Sequence, residues 1–99
     1  MPTERKALLA RLSVKPDKVG DVRAFLESAL PLAEAEDVTV SWYAMQIDDT
    51  TFGILDTAED DDGWQAHLDG KIAAALMEKA DDLLADTPTI ESVDVLAHK

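Results

Sequence analysis

Between Thr51 and Leu68 the chain changes period, from the two-residue alternation of a strand to the spacing of a helix. Phe52 to Thr57 reads as a strand. Asp60, Asp61 and Asp62 then supply a helix cap and an acidic first turn, where carboxylates suit the positive end of the helix dipole. The helix that follows carries Trp64, His67 and Leu68, so an aromatic ring, an imidazole and the carboxylate of Asp56 fall close together. A strand that passes directly into a helix, in a chain of 99 residues, forms part of one small domain. Such a domain lies near the lower limit for burying its own core, and a partner subunit would help to complete it.

The remaining elements follow from the same periods. Residues 1 to 5 read as loose. Lys6 to Val14 alternates, with Leu8, Ala10, Leu12 and Val14 on one face and Leu9, Arg11 and Ser13 on the other, which predicts the first strand. Pro16 and Asp17 end it, and Asp17 is the expected cap of a helix in which Val19, Val22, Phe25 or Leu26, Ala29 and Leu30 recur at helical spacing. Pro31 has no backbone donor, so it kinks that helix or begins a separate short turn reaching about Glu36. Val38 to Ile47 predicts the second strand, with Trp42 and Tyr43 on opposite faces and both faces substantially apolar. Asp48, Asp49 and Thr50 make a tight polar turn, joining the second and third strands in an antiparallel hairpin. Beyond the third strand, Trp64, Leu68, Ile72, Leu76 and Leu83 form a buried stripe. Asp69-Gly70 divides it into a short helix and a longer one from Lys71 to about Ala85. Thr87-Pro88 stops the second helix, and Thr89 to Ala97 alternates as the fourth strand.

The order β-α-β-β-α-β predicts an α+β, ferredoxin-like sandwich, one domain over residues 1–99 with both helical regions on one face of the sheet. The other face would carry Leu9, Tyr43, Met45 and Ile47, or their opposite-parity neighbours. A bare apolar sheet face predicts a homodimer, sheet against sheet, with two-fold symmetry.

Charge and composition narrow the chemistry. A formal net charge of -12 opposes the sign that phosphate surfaces require, which argues against nucleic acid and anionic membrane as partners. No apolar run approaches the roughly 20 residues that span a bilayer, and charge interrupts the N-terminal apolar stretch, so a cytoplasmic protein is expected. The chain has no Cys, which removes thiol catalysis and thiolate metal sites, and no Asn. Its glycines, at 20, 53, 63 and 70, are too scattered for a phosphate loop. The Asp60–Asp62 run lacks the spacing of a calcium loop, so no metal site is expected. His98, one residue from the end, reads as solvated.

With the elements in order, the turn Val14 to Lys18 after the first strand and the run FGILDTAEDDDGWQAHL resemble the antibiotic biosynthesis monooxygenase family of dimeric α+β barrel proteins, over nearly the whole chain. Asp56 stands where that family often has Glu, and His67 where it commonly has His. The resemblance implies a homodimer whose two sheets enclose a pocket in each subunit. For some members it implies oxidation of phenols, quinols or anthrones by molecular oxygen, with no metal or flavin cofactor and with the substrate anion supplying the electron. Two departures bear on this: the cofactor-free oxidases are associated with an Asn that this chain lacks, and Ala58 stands where a large aromatic is common. The haem-degrading branch is disfavoured, because Ala10 and the apolar stretch Ala73 to Met77 offer iron no ligand.

Within that frame His67 is the expected catalytic base, since an imidazole can take a phenolic proton near neutral pH, with Asp56 orienting it. Both could equally be structural, His67 capping a neighbouring strand end and Asp56 holding the helix start. Trp42 or Tyr43, with Phe52 and Trp64, could line a pocket for a small hydrophobic aromatic ligand, or fill core and interface instead. Arg11 could meet an anionic oxygen of that ligand or make a salt bridge. Two functions are therefore open: a cofactor-independent oxygenase of aromatic substrates, and a non-catalytic dimeric small-ligand-binding or stress-related protein.

Overall fold

The computed structural model describes residues 4–99. Four strands, β1 (Lys6–Ser13), β2 (Trp42–Gln46), β3 (Thr51–Ala58) and β4 (Thr89–Asp94), form one antiparallel sheet in the order β2-β3-β1-β4. Between β1 and β2 lie α1 (Val19–Ser28) and α2 (Leu30–Glu34), and between β3 and β4 lie α3 (Asp61–Leu68) and α4 (Lys71–Leu83). The α+β ferredoxin-like order expected from the sequence is the order found. No helix among the described residues is long and apolar enough to cross a membrane.

Strand parity decides what is buried. Leu8, Ala10 and Leu12 of β1 face the helices and are almost inaccessible, as are Phe52 and Ile54 of β3. They pack with Val14, Val22, Leu26, Leu76, Leu83 and Leu84 into an aliphatic core, each large side chain contributing about 1.5–3 kcal/mol on burial. The register sets Leu8 opposite Asp56, and Asp56 opposite Trp42, so the carboxylate of Asp56 lies on the helix-covered face. The opposite face is open. Tyr43, Met45 and Ile47 are 54%, 37% and 49% exposed there.

Pro31 does begin a separate helix, α2, and Asp69 and Gly70 do separate α3 from α4. Several local expectations are corrected. Asp17 caps nothing: Pro16–Lys18 tightens into a single 3-10 turn, closed by the Lys18 amide on the Lys15 carbonyl, and α1 starts behind it without a side-chain cap. The second strand begins at Trp42 rather than Val38, because Val40 donates to the Thr57 carbonyl while the Thr57 amide donates to Ser41, two residues facing one. The fourth strand ends at Asp94 rather than Ala97. Of residues 1–5, Met1 to Thr3 lie outside the described residues, but Glu4 is held by the hydroxyls of Ser41 and Thr57, whose hydrogen bonds lower its pKa. His98 is not simply solvated, since its Nδ1 lies 3.1 Å from Glu4 Oε2.

The junction of β3 and α3 is built as its sequence dictates. Asp60 adopts an extended backbone and its side chain accepts the Gly63 amide at 2.9 Å, a true N-cap. A Cβ on Gly63 would sit 2.9 Å from the Cβ of Ala58, so glycine lets the start of α3 rest directly on the end of β3. That close approach carries the last turn of α3, and His67 with it, down against the sheet.

Candidate functional site

His67 is 5% exposed, and both of its ring nitrogens are engaged. Nε2 lies 3.2 Å from the Thr57 carbonyl, which can only accept, so Nε2 carries a proton. Nδ1 lies 3.1 Å from Thr39 Oγ1. The Thr39 hydroxyl is also 2.8 Å from Glu36 Oε1, and it has one proton to give. If that proton goes to Nδ1, the ring is neutral; if it goes to Glu36, Nδ1 donates instead and the ring is a cation. Two carboxylates stand close to the ring, Glu36 Oε1 at 3.6 Å from Nδ1 and Asp56 Oδ1 at 3.9 Å from Nε2.

Asp56 is 7% exposed, and its Oδ1 has no hydrogen-bond partner among the described residues. Burial pushes its carboxyl up from the ordinary 3.8 to about 6. The charge of His67 pulls the other way, and that of Glu36 adds to the rise. The outcome is a carboxylate that is ionised at neutral pH yet ready to take a proton.

Asp56 lines an inner cavity of about 40 Å³ between the sheet and α3 and α4. Its walls include Leu8, Ala10, Ile54, Leu68, Ile72 and Leu76, with Glu36, Asp56 and His67 as the only ionisable groups among the described residues lining it. A larger apolar groove of about 310 Å³ lies outside it, running past Gly70, Ala74 and Met77. The two share Leu68, Ala73, Leu76 and Ile90, which form the neck between them.

Of the residues singled out in the sequence, the fold brings His67 and Asp56 together and disperses the rest. Arg11 lies on the open sheet face, opposite Gly53 and Thr89, on the far side of the sheet from Asp56. Tyr43 is on that open face also. Trp42, Phe52 and Trp64 belong to the helix side, where they pack in or against the core. The indole nitrogens of Trp42 and Trp64 are buried without a partner among the described residues. None of the three rings lines the inner cavity. Sequence reasoning missed Glu36 and Thr39, which contact His67 from the loop before β2. Their three-residue spacing, a carboxylate followed by a hydroxyl that bonds back to it, was the one available sign.

No protein-family model matches the chain, and no curated protein matches it. Among solved structures, a protein of unknown function from Nitrosomonas europaea, NE2512, is 46% identical and superposes with a TM-score of 0.96, covering 100% of this chain and 96% of that one. A protein provisionally assigned as an antibiotic biosynthesis monooxygenase, also from Nitrosomonas europaea, is 15% identical with a TM-score of 0.82, over 97% of this chain and 94% of that one. Another with the same provisional assignment, from Caulobacter crescentus, is 18% identical with a TM-score of 0.77, over 95% and 92%. The last two establish a shared fold. At 46% identity along its whole length, the chain belongs to the same family as the Nitrosomonas europaea protein of unknown function NE2512, on the fold of the antibiotic biosynthesis monooxygenase-like proteins.

Proposed function

We propose that this protein is a cofactor-independent oxidase of small phenolic or quinol-type molecules, using molecular oxygen. The observation that carries the reading is Asp56, a buried carboxylate raised to about 6 that lines a largely apolar cavity beside His67 and Glu36. A phenolic hydroxyl placed against the Asp56 carboxylate gives up its proton there. The resulting phenolate is rich enough in electrons to pass one to oxygen, and recombination of the radical pair adds oxygen to the ring. Loss of water then leaves a quinone, one oxygen atom in the product and the other in water. The reading exchanges the roles expected from the sequence: Asp56 is the base, and His67, with both nitrogens engaged, is the positioning residue that holds Asp56 ionised.

A second reading, a non-catalytic dimeric ligand-binding protein, draws support from the inner cavity, which at about 40 Å³ is too small for an aromatic ring. Oxygen uptake with product mass, on a panel of hydroquinones and anthrones, separates the two. The oxidase consumes oxygen above the spontaneous rate. Asp56→Asn returns uptake to that rate, and His67→Ala lowers kcat by at least about tenfold. A ligand that binds saturably and emerges unaltered from prolonged aerobic incubation would replace the oxidase with the binding protein.

The proposed working unit is a homodimer through the open sheet faces, supported by the exposed Tyr43, Met45 and Ile47. Light scattering at micromolar concentration is expected to give twice the chain mass, falling to the monomer when Tyr43→Asp and Ile47→Asp are combined. A wild-type monomer under those conditions would end the dimer proposal.

A further inference from the structure

The inner cavity and the outer groove differ in a way that sets the shape and charge of what can bind. The cavity of about 40 Å³ exceeds the roughly 10–15 Å³ needed by one water, so it accommodates a hydroxyl-sized group and little more. The groove, at about 310 Å³, reaches the scale of small-molecule sites. Ala73 and Ile90, with Leu68 and Leu76, stand between them. In the cavity two carboxylates, Asp56 and Glu36, flank His67, Asp69 adds a third on the groove wall, and among the described residues neither Lys nor Arg lines either.

We infer that the site selects a one-headed apolar molecule: an uncharged hydrogen-bond donor enters the inner cavity to meet the Asp56 carboxylate, while its apolar body stays outside the neck in the groove, and anions are refused. The inference rests on the reading of this cavity as the substrate site. Its physical basis has two parts. A carboxylate on the wall of a cavity otherwise largely apolar accepts from a ligand hydroxyl, an interaction that an apolar molecule cannot offer. A carboxylate ligand would set like charges together in a low-dielectric pocket with no basic side chain to offset them. The aliphatic walls explain why no stacking ring is needed: the body is held by area alone.

The test is a chemical-shift titration at about pH 8, where a simple phenol is neutral and a benzoate is not, using para-butylphenol, butylbenzene and para-butylbenzoate. Wild type is expected to bind the phenol at least about tenfold more tightly than either of the others. Asp56→Asn keeps an acceptor and removes the charge, so benzoate binding should tighten by at least about tenfold while butylbenzene is unchanged. Ala73→Trp, far from the carboxylates in chemistry but placed at the neck, should weaken the phenol by at least about tenfold. Benzoate binding to wild type as tightly as the phenol, an Ala73→Trp variant that binds normally, or no binding of any probe would each overturn the inference. The wild-type series decides even if a variant fails to fold. Oxygen uptake without this order of affinities defeats the inference and spares the oxidase, and this order of affinities without uptake does the reverse.

Discussion

Asp56→Asn is expected to make the protein more stable, by about 3 kcal/mol at about pH 8, while abolishing the proposed oxidase turnover. The carboxyl titrates at about 6 in the folded chain against an ordinary 3.8, and each unit corresponds to about 1.4 kcal/mol. With its side chain only 10% exposed, little solvent screening reduces that figure. Because the folded state holds this proton more tightly than the unfolded state, stability from this group is fully present below 3.8. It is lost as pH rises through about 6. Asn never ionises, so the variant escapes the loss. Urea unfolding at one fixed protein concentration should therefore show a gap between variant and wild type that is largest above pH 6 and closes toward pH 4. A variant less stable than wild type at every pH would mean that Asp56 is an ordinary paired carboxylate and no candidate base. The expected trade is one that active sites commonly make, stability given up for a group kept in an uncomfortable state.

How much of this was legible beforehand follows from the range of each interaction. The strands, and the grouping of Leu8, Ala10, Leu12 and Val14 on one face of β1, were written in period-two alternation, which is a local property. The Asp60 cap was legible for the same reason, since its partner Gly63 is three residues away. Asp56 and His67 could be placed near one another because a strand and its following helix share a junction. Arg11 could not be placed, because which face of β1 the helices cover is settled by packing across the whole chain, and it put that side chain on the open face. Glu36 and Thr39 were invisible as site residues because their partner, His67, is some thirty positions further along. The start of β2 was misjudged where both Val40 and Ser41 pair with Thr57, a displacement that alternation of residue types does not encode.

His67→Leu should have the opposite effect on stability and, together with Asp56→Asn, an effect that does not add. Leucine fills much of the space but returns none of the polar contacts, leaving the Thr57 carbonyl and Thr39 without the ring and Asp56 and Glu36 without a neighbouring imidazole. Losses of this kind amount to about 3 kcal/mol near pH 8. His67 is the one influence holding the titration of Asp56 down, so its removal should move Asp56 further above 6. The folded state then holds its proton over a wider range, and the deficit grows from pH 4 to pH 8. Below the ordinary 3.8 the carboxylate is neutral in both states and the hydrogen bonds alone remain, about 1 kcal/mol of deficit. Adding Asp56→Asn in the His67→Leu background should then recover more stability than it adds to wild type, a coupling of about 1 kcal/mol or more in the double-mutant cycle. Strict additivity would mean that the imidazole acts only as a neutral bridge between Thr57 and Thr39. Coupling would give His67 the task of holding Asp56 ionised at a pH where burial alone would protonate it, the condition on which a buried carboxylate can serve as a base.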